Sequence, residues 1–262
     1  MAISKEKVSK KKKINTKEKS NMEIIKKYIK KKNIHLNKNT IIAISVIVGC
    51  IIFSLFINLI NKKSEDKKIE DLNKEAINKS TAKIHQLLNG DLLFEVDNNS
   101  DINVHKKFSI KLYDEEGVLA GEIDSEIKHV FPHRKTYGKS VYIGNDYSKY
   151  DYEVETSAIT DKIDYYTDKI KVLSSKVEND KIKVQVLNDS GEFVSEMKYA
   201  VLYYNKQKEI IGYNEVIRHN VNVGMTVEDY FDNFVDDGNF NKVKYDHYEV
   251  VVNYAFYYDE FA

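Results

Sequence analysis

The spacing of apolar side chains changes character three times along the chain. Residues 1–39 hold few large apolar groups before Ile24, too few to bury the surface that would offset chain entropy. Next, TIIAISVIVGCIIFSLFINLI (residues 40–60) runs without one charged residue, and about 20 apolar residues at 1.5 Å rise match a bilayer core roughly 30 Å thick. Beyond it Ile69, Leu72, Ala76, Ile77, Ile84, Leu87 and Leu88 recur at spacings of three and four, with charges between them, until Asn89-Gly90. That period predicts a helical stalk over 61–90. From Asp91 onward the period is two, in short Val, Ile, Tyr and Phe runs separated by Asn, Asp, Ser and Gly, which predicts strands and turns.

The strand-rich part repeats itself. LFEVDNNS (93–100) answers KVQVLNDS (183–190), IKLYDEEGVLAG answers VLYYNKQKEIIG, and KYDYEV (149–154) answers KYDHYEV (244–250) with one inserted residue. Three blocks in one order indicate a duplicated module. Alternation in each copy predicts a core-facing set of Phe108, Ile110 and Leu112, and of Tyr199, Val201 and Tyr203. Short strands at this spacing suggest small antiparallel β-sandwiches of immunoglobulin-like type.

The sequence Ile110-Lys-Leu112-Tyr113-Asp114, followed by Gly117 and Gly121, resembles the signature of the FxLYD family, small immunoglobulin-like modules of exported and membrane-anchored prokaryotic proteins. In the second copy it reads Val201-Leu-Tyr203-Tyr204-Asn205, and Lys208 replaces the turn glycine. The resemblance covers 91–157 and 169–256. It implies a fold and a location and no catalytic residues.

Charge turns this pattern into a topology. Residues 1–39 carry 14 Lys against 3 Glu, whereas 61–262 carry 27 Lys plus Arg against 38 Asp plus Glu. Lysines flanking a span hold that side in the cytoplasm, so the expectation is an uncleaved signal anchor with the N-terminus inside. NMEIIKKYIKKK could also lie on the anionic inner leaflet, although topology alone accounts for its lysines. The single cysteine, Cys50, lies inside the apolar run, so no disulfide forms within the exported part. A lipobox at VIVGC is disfavoured because the apolar run continues for ten residues beyond it. The stalk is compatible with a weak homodimer and equally with a single helix.

Two clusters tempt a chemical reading. His129, Pro132 and His133, with His105 elsewhere, lack the spacing of a metal site and read as a turn before a strand. The acidic run VEDYFDNFVDDGNF (227–240), with Glu228, Asp229, Asp232, Asp236 and Asp237, fails the EF-hand spacing and reads as a solvated insertion loop. Nucleophile elbows, P-loops and HExxH are absent from the sequence, and the folded part is acidic, against nucleic-acid binding.

The expected organisation is a basic cytosolic tail (1–39), an anchor (40–60), a stalk (61–90), module 1 (91–158), a linker (159–168) and module 2 (169–262). The fold class is mainly β, with two tandem immunoglobulin-like sandwiches after the helices. No catalytic, cofactor or metal residues are assigned. The expected partners are the bilayer and an envelope protein or polymer. The function read is display for binding or assembly; the alternative is an accessory subunit of a secretion or conjugation machine.

Overall fold

A computed structural model of the chain describes residues 38–144, 146–160 and 163–258, without the side chains of 38–50, 52 and 56. The expected basic tail therefore lies, up to residue 37, outside the described residues. The chain divides into two units after Glu65. Helix α1 spans Lys38–Lys79. The expected anchor, 40–60, is helical, but the side chains of 40–50, 52 and 56 are outside the description. Among the described residues no helix is long and apolar enough to cross a membrane. Further along, Glu70 and Lys74 (2.8 Å) and Glu75 and Lys79 (3.0 Å) pair one turn apart, a spacing that supports an exposed helix.

The helix ends at Lys79, which corrects the stalk expected to reach residue 90. Ser80–Gln86 is a strand, β1. Ile84 and Leu87 fit either period, because a short apolar run does not separate helix from strand. The deciding factor is a partner. β2 (Leu92–Asn98) pairs with all of β1, from Ser80 opposite Asn98 to Gln86 opposite Leu92.

The remainder is mainly β. In a first lobe, β1, β2 and β5 (Arg134–Ser140) form one antiparallel sheet in the order β1-β2-β5. β3 (Asn103–Tyr113), β4 (Leu119–Val130) and β6 (Lys149–Ile159) form another in the order β4-β3-β6. In a second lobe, β8 (Ile170–Glu178), β9 (Lys181–Asn188) and β12 (Thr226–Asp232) are ordered β12-β9-β8. β10 (Val194–Tyr204), β11 (Ile210–Val221) and β15 (His247–Tyr257) are ordered β11-β10-β15. The short β7 (Asp164–Tyr165) adds to the edge of β15, opposite Phe256 and Tyr257. Strand for strand, the pairing order of the first lobe returns in the second. The expected linker is partly absorbed by this lobe, since β7 falls within it and a 3-10 turn at Thr167–Lys169 overlaps its end.

Each lobe buries the alternating set read from sequence. Phe108, Ile110, Leu112, Tyr199, Val201 and Tyr203 are all at most 1% exposed, and a side chain of this size contributes about 1.5–3 kcal/mol on burial. In the first lobe they meet Leu92, Phe94 and Val96 from the facing sheet, with the Phe94 and Phe108 rings 4.4 Å apart.

The repeated Asn-Ser turn is a buried polar hub. Asn98 is fully buried; its Nδ2 donates to the carbonyls of Ile102 (2.8 Å), Val130 (2.7 Å) and Phe131 (3.2 Å). Its Oδ1 accepts from the Ser100 backbone N–H (3.0 Å) and hydroxyl (2.6 Å). Asn188 does the same with Glu192, Val221 and Asn222, and with Ser190. Each hub ties the end of one sheet to the chain entering the other. A buried amide with this many partners is costly to remove, because every deserted carbonyl carries its own desolvation penalty.

The repeated final glycine has a packing cause. Gly121 and Gly212 sit opposite Leu112 and Tyr203 beside a register shift. A Cβ there would lie 2.7 Å from the Tyr142 hydroxyl in one lobe and 2.8 Å from Val235 in the other. The segment leading to the last strand therefore lays a side chain directly on the glycine in both lobes. The preceding turns also match. Asp114 Oδ1 accepts from the N–H groups of Glu116 (3.0 Å) and Val118 (2.8 Å), and Asn205 Oδ1 accepts from Glu209 N–H (2.9 Å).

Candidate functional site

The residues singled out in the sequence do not converge. His105 pairs with Glu126 at 3.0 Å on the outer face of the β3 sheet, and exposed His133 pairs with Asp101 at 2.9 Å in a turn. His129 instead stacks among aromatics, with ring centroids 5.4 Å from Phe256 and 6.0 Å from Phe131. Among the described residues no group of three or more His, Cys, Asp or Glu side chains could hold a metal ion.

The acidic run is not a loop throughout, which corrects the expectation. Its first half is β12, with Val227, Asp229 and Phe231 turned inward, and the second half supplies β13 (Val235–Asp236), which pairs with β14 (Lys242–Val243) just beyond the run. Asp229 is buried against Arg218, whose Nε donates to Oδ2 at 3.0 Å, and against the Tyr199 hydroxyl. Burial pushes the Tyr199 phenol up, against the opposing effect of Arg218. Asp232 pairs with Lys181, and Glu228 with Lys183 at 2.9 Å. The carboxylates thus serve different partners and share no centre.

The surfaces on which the two lobes differ are more informative. The outer face of β4-β3-β6 presents Asp151, Lys111 and Glu122 in one row, Glu153, Ser109 and Asp124 in the next, then Glu155, Lys107 and Glu126. All nine are exposed, and six are carboxylates against two ammonium groups. Ser109 Oγ donates to Asp124 at 2.9 Å. The face carries an open trough of about 740 Å³, to whose lining Tyr113, Tyr150 and Tyr152 also contribute.

Its counterpart in the second lobe is apolar and covered at its centre, with Glu215 and Glu249 left exposed. The equivalent rows are Glu249, Leu202, Tyr213 and Val251, Ala200, Glu215. Ala200, Leu202, Ile210 and Tyr213 pack against Leu87, Leu93 and Tyr137 of the first lobe in one buried cluster. Asn253, 1% exposed, joins the lobes: its Oδ1 accepts from Tyr137 N–H at 2.9 Å and its Nδ2 donates to the Tyr213 hydroxyl at 2.9 Å. Burial, reinforced by Glu215, holds the Tyr213 phenol far above its usual range, so it stays a donor, to Glu215 at 2.6 Å. Leu88 N–H donates to Ile211 O at 3.2 Å, and Phe131 stacks on Tyr165 at 4.9 Å. A cleft of about 430 Å³ remains beside this joint, lined by His129, Lys139, Glu196, Lys198, Tyr254 and Phe256.

The reading from periodicity missed this joint. The signal was present: Tyr199 to Tyr204 is one continuous apolar run, whereas Phe108 to Tyr113 alternates, and a strand apolar on both sides is buried on both faces. The glycines, turns and Asn hubs are shared by the two lobes and are architectural; the acidic face belongs to the first lobe alone, and the cleft is lined by both.

No protein-family model and no curated protein matches the chain. Among solved structures, red sea bream transglutaminase aligns with 66% of this chain and 31% of its own length at 11% identity and a TM-score of 0.20. The N-terminal CBM22-1-CBM22-2 tandem domain from Paenibacillus barcinonensis Xyn10C aligns with 68% of this chain and 92% of its own at 9% identity and a TM-score of 0.10. Both scores are too low to carry an argument about fold or function.

Proposed function

We propose that this chain is a single-pass, N-in membrane protein of a cell envelope. In this reading it displays two tandem immunoglobulin-like modules of the FxLYD type, and binds a partner through the acidic outer face of β4-β3-β6. The observation that carries the reading is the recurrence in both lobes of strand order, Asn hub and turn after one helix that contains the uncharged run 40–60. Strand order β1-β2-β5 against β4-β3-β6 is compatible with a Greek-key sandwich. A sheet face that is buried in one copy and open in the other is a natural place for a separate partner. Its charge calls for a basic one, whose approach salt would slow.

The test is photo-crosslinking in intact cells from a probe at Ser109, with a probe at Lys206 as control. A defined basic envelope protein or polymer captured from Ser109 alone is expected. Equal capture from both positions overturns the choice of face. A stoichiometric set of other membrane proteins would instead make the chain an accessory subunit of a membrane machine.

A further inference from the structure

The first lobe contains a charged group that its fold does not obviously need. Lys106 lies on β3 at a register shift and is 3% exposed. Among the described residues no carboxylate pairs with it: Nζ donates to the Thr156 hydroxyl at 2.9 Å and to the Ser80 carbonyl at 3.3 Å. Burying an ammonium group without a counter-ion is unfavourable, and burial holds the Lys106 amine below its usual range. What it faces is the end of a helix. Ser80 immediately follows α1, whose last carbonyls lack helical partners and carry the negative end of the helix dipole.

The other end groups of α1 are also satisfied by this lobe or beside it. The Ser80 hydroxyl donates to Ala76 O, and Asn99 N–H donates to Lys79 O at 2.8 Å. Asn73 Oδ1 accepts from Ala158 N–H of the edge strand β6 at 2.7 Å. Ala76 itself is fully buried within the core of the lobe. The second lobe has no long helix before its first strand, and there Thr167 Oγ1 takes the role of Asn73, accepting from Ala255 N–H at 3.0 Å.

We propose that Lys106 is a latch: its ammonium group caps the C-terminus of α1 from inside the first lobe, so that residues 73–79 and the lobe move as one body. The joint is then rigid, and any change in the direction of the helix end is imposed on the lobe. Lys106 is a positioning residue here, acting through the carbonyl of Ser80, the residue that follows the helix.

Hydrogen exchange followed by mass spectrometry on the purified full chain tests this, comparing wild type with Lys106→Met and Lys106→Arg. In the wild type, amides 73–79 should be protected to the same extent as β2. In Lys106→Met, which keeps the apolar stem, they should exchange at least tenfold faster while β2, β3 and the second lobe are unchanged, with Lys106→Arg recovering part of the protection. Uniformly faster exchange throughout the first lobe would make Lys106 an ordinary core residue and overturn the proposal. So would unchanged exchange at 73–79. Asn73→Ala provides a check that does not alter the core: it should loosen the same segment by a smaller factor, and no loosening there would also count against a latch.

Discussion

Lys208 shows at single-residue scale how far sequence comparison reaches. It occupies the place of Gly117 in the repeated turn, and the structure holds it at φ 64° where the glycine has φ 82°. A side chain in the left-handed region costs about 1 kcal/mol that glycine does not incur. Lys208→Gly should therefore stabilise the protein by about 1 kcal/mol, read as a shift in urea midpoint with unchanged slope. The departure from the motif was legible; that the turn keeps its shape was not, because it depends on Asn205 bonding across the turn. The Asp229, Arg218 and Tyr199 group was wholly illegible. Its counterparts by register are Gly138, Ile127 and Phe108, where a Cβ at Gly138 would lie 3.1 Å from Ile127. One lobe fills this place with apolar atoms and the other with a hydrogen-bonded ion pair. Arg218→Leu alone should cost about 3–5 kcal/mol, since it strands a buried carboxylate. The combination of Tyr199→Phe, Arg218→Ile and Asp229→Gly should cost much less, and chemical denaturation of the two variants compares them directly.

At the scale of elements, alternation located the cores of β3 and β10, and turn chemistry located their ends. It failed at β1, where helical and strand periods overlap and only pairing with β2 decides. The failure has a consequence for dissection. A fragment of residues 88–160 lacks β1 and Ala76 and leaves Leu93 exposed, so it should show no cooperative transition by circular dichroism. A fragment of 66–262, which contains every strand among the described residues, should unfold cooperatively.

For the molecule as a whole, the recurrence of sequence blocks was legible, the strand order recurs with them, and the joint between the lobes was not legible. A buried cluster with an Asn253 bridge makes the two lobes one thermodynamic unit, and cooperative single-transition unfolding is the expected result. Calorimetry should give one peak for the wild type, while Leu202→Asp, which places a carboxylate in that cluster, should separate it into two. The same joint covers the centre of one outer sheet face and leaves that of β4-β3-β6 open, the face proposed to meet a partner. That account depends on where the lobes are exposed. The most direct test is labelling of intact cells with a membrane-impermeant maleimide, in a chain with Cys50→Ser and a single cysteine introduced as Lys206→Cys or Lys11→Cys. The account predicts label at position 206 before lysis and at position 11 only after it. Label at 11 alone in intact cells, or at neither position until lysis, would contradict it.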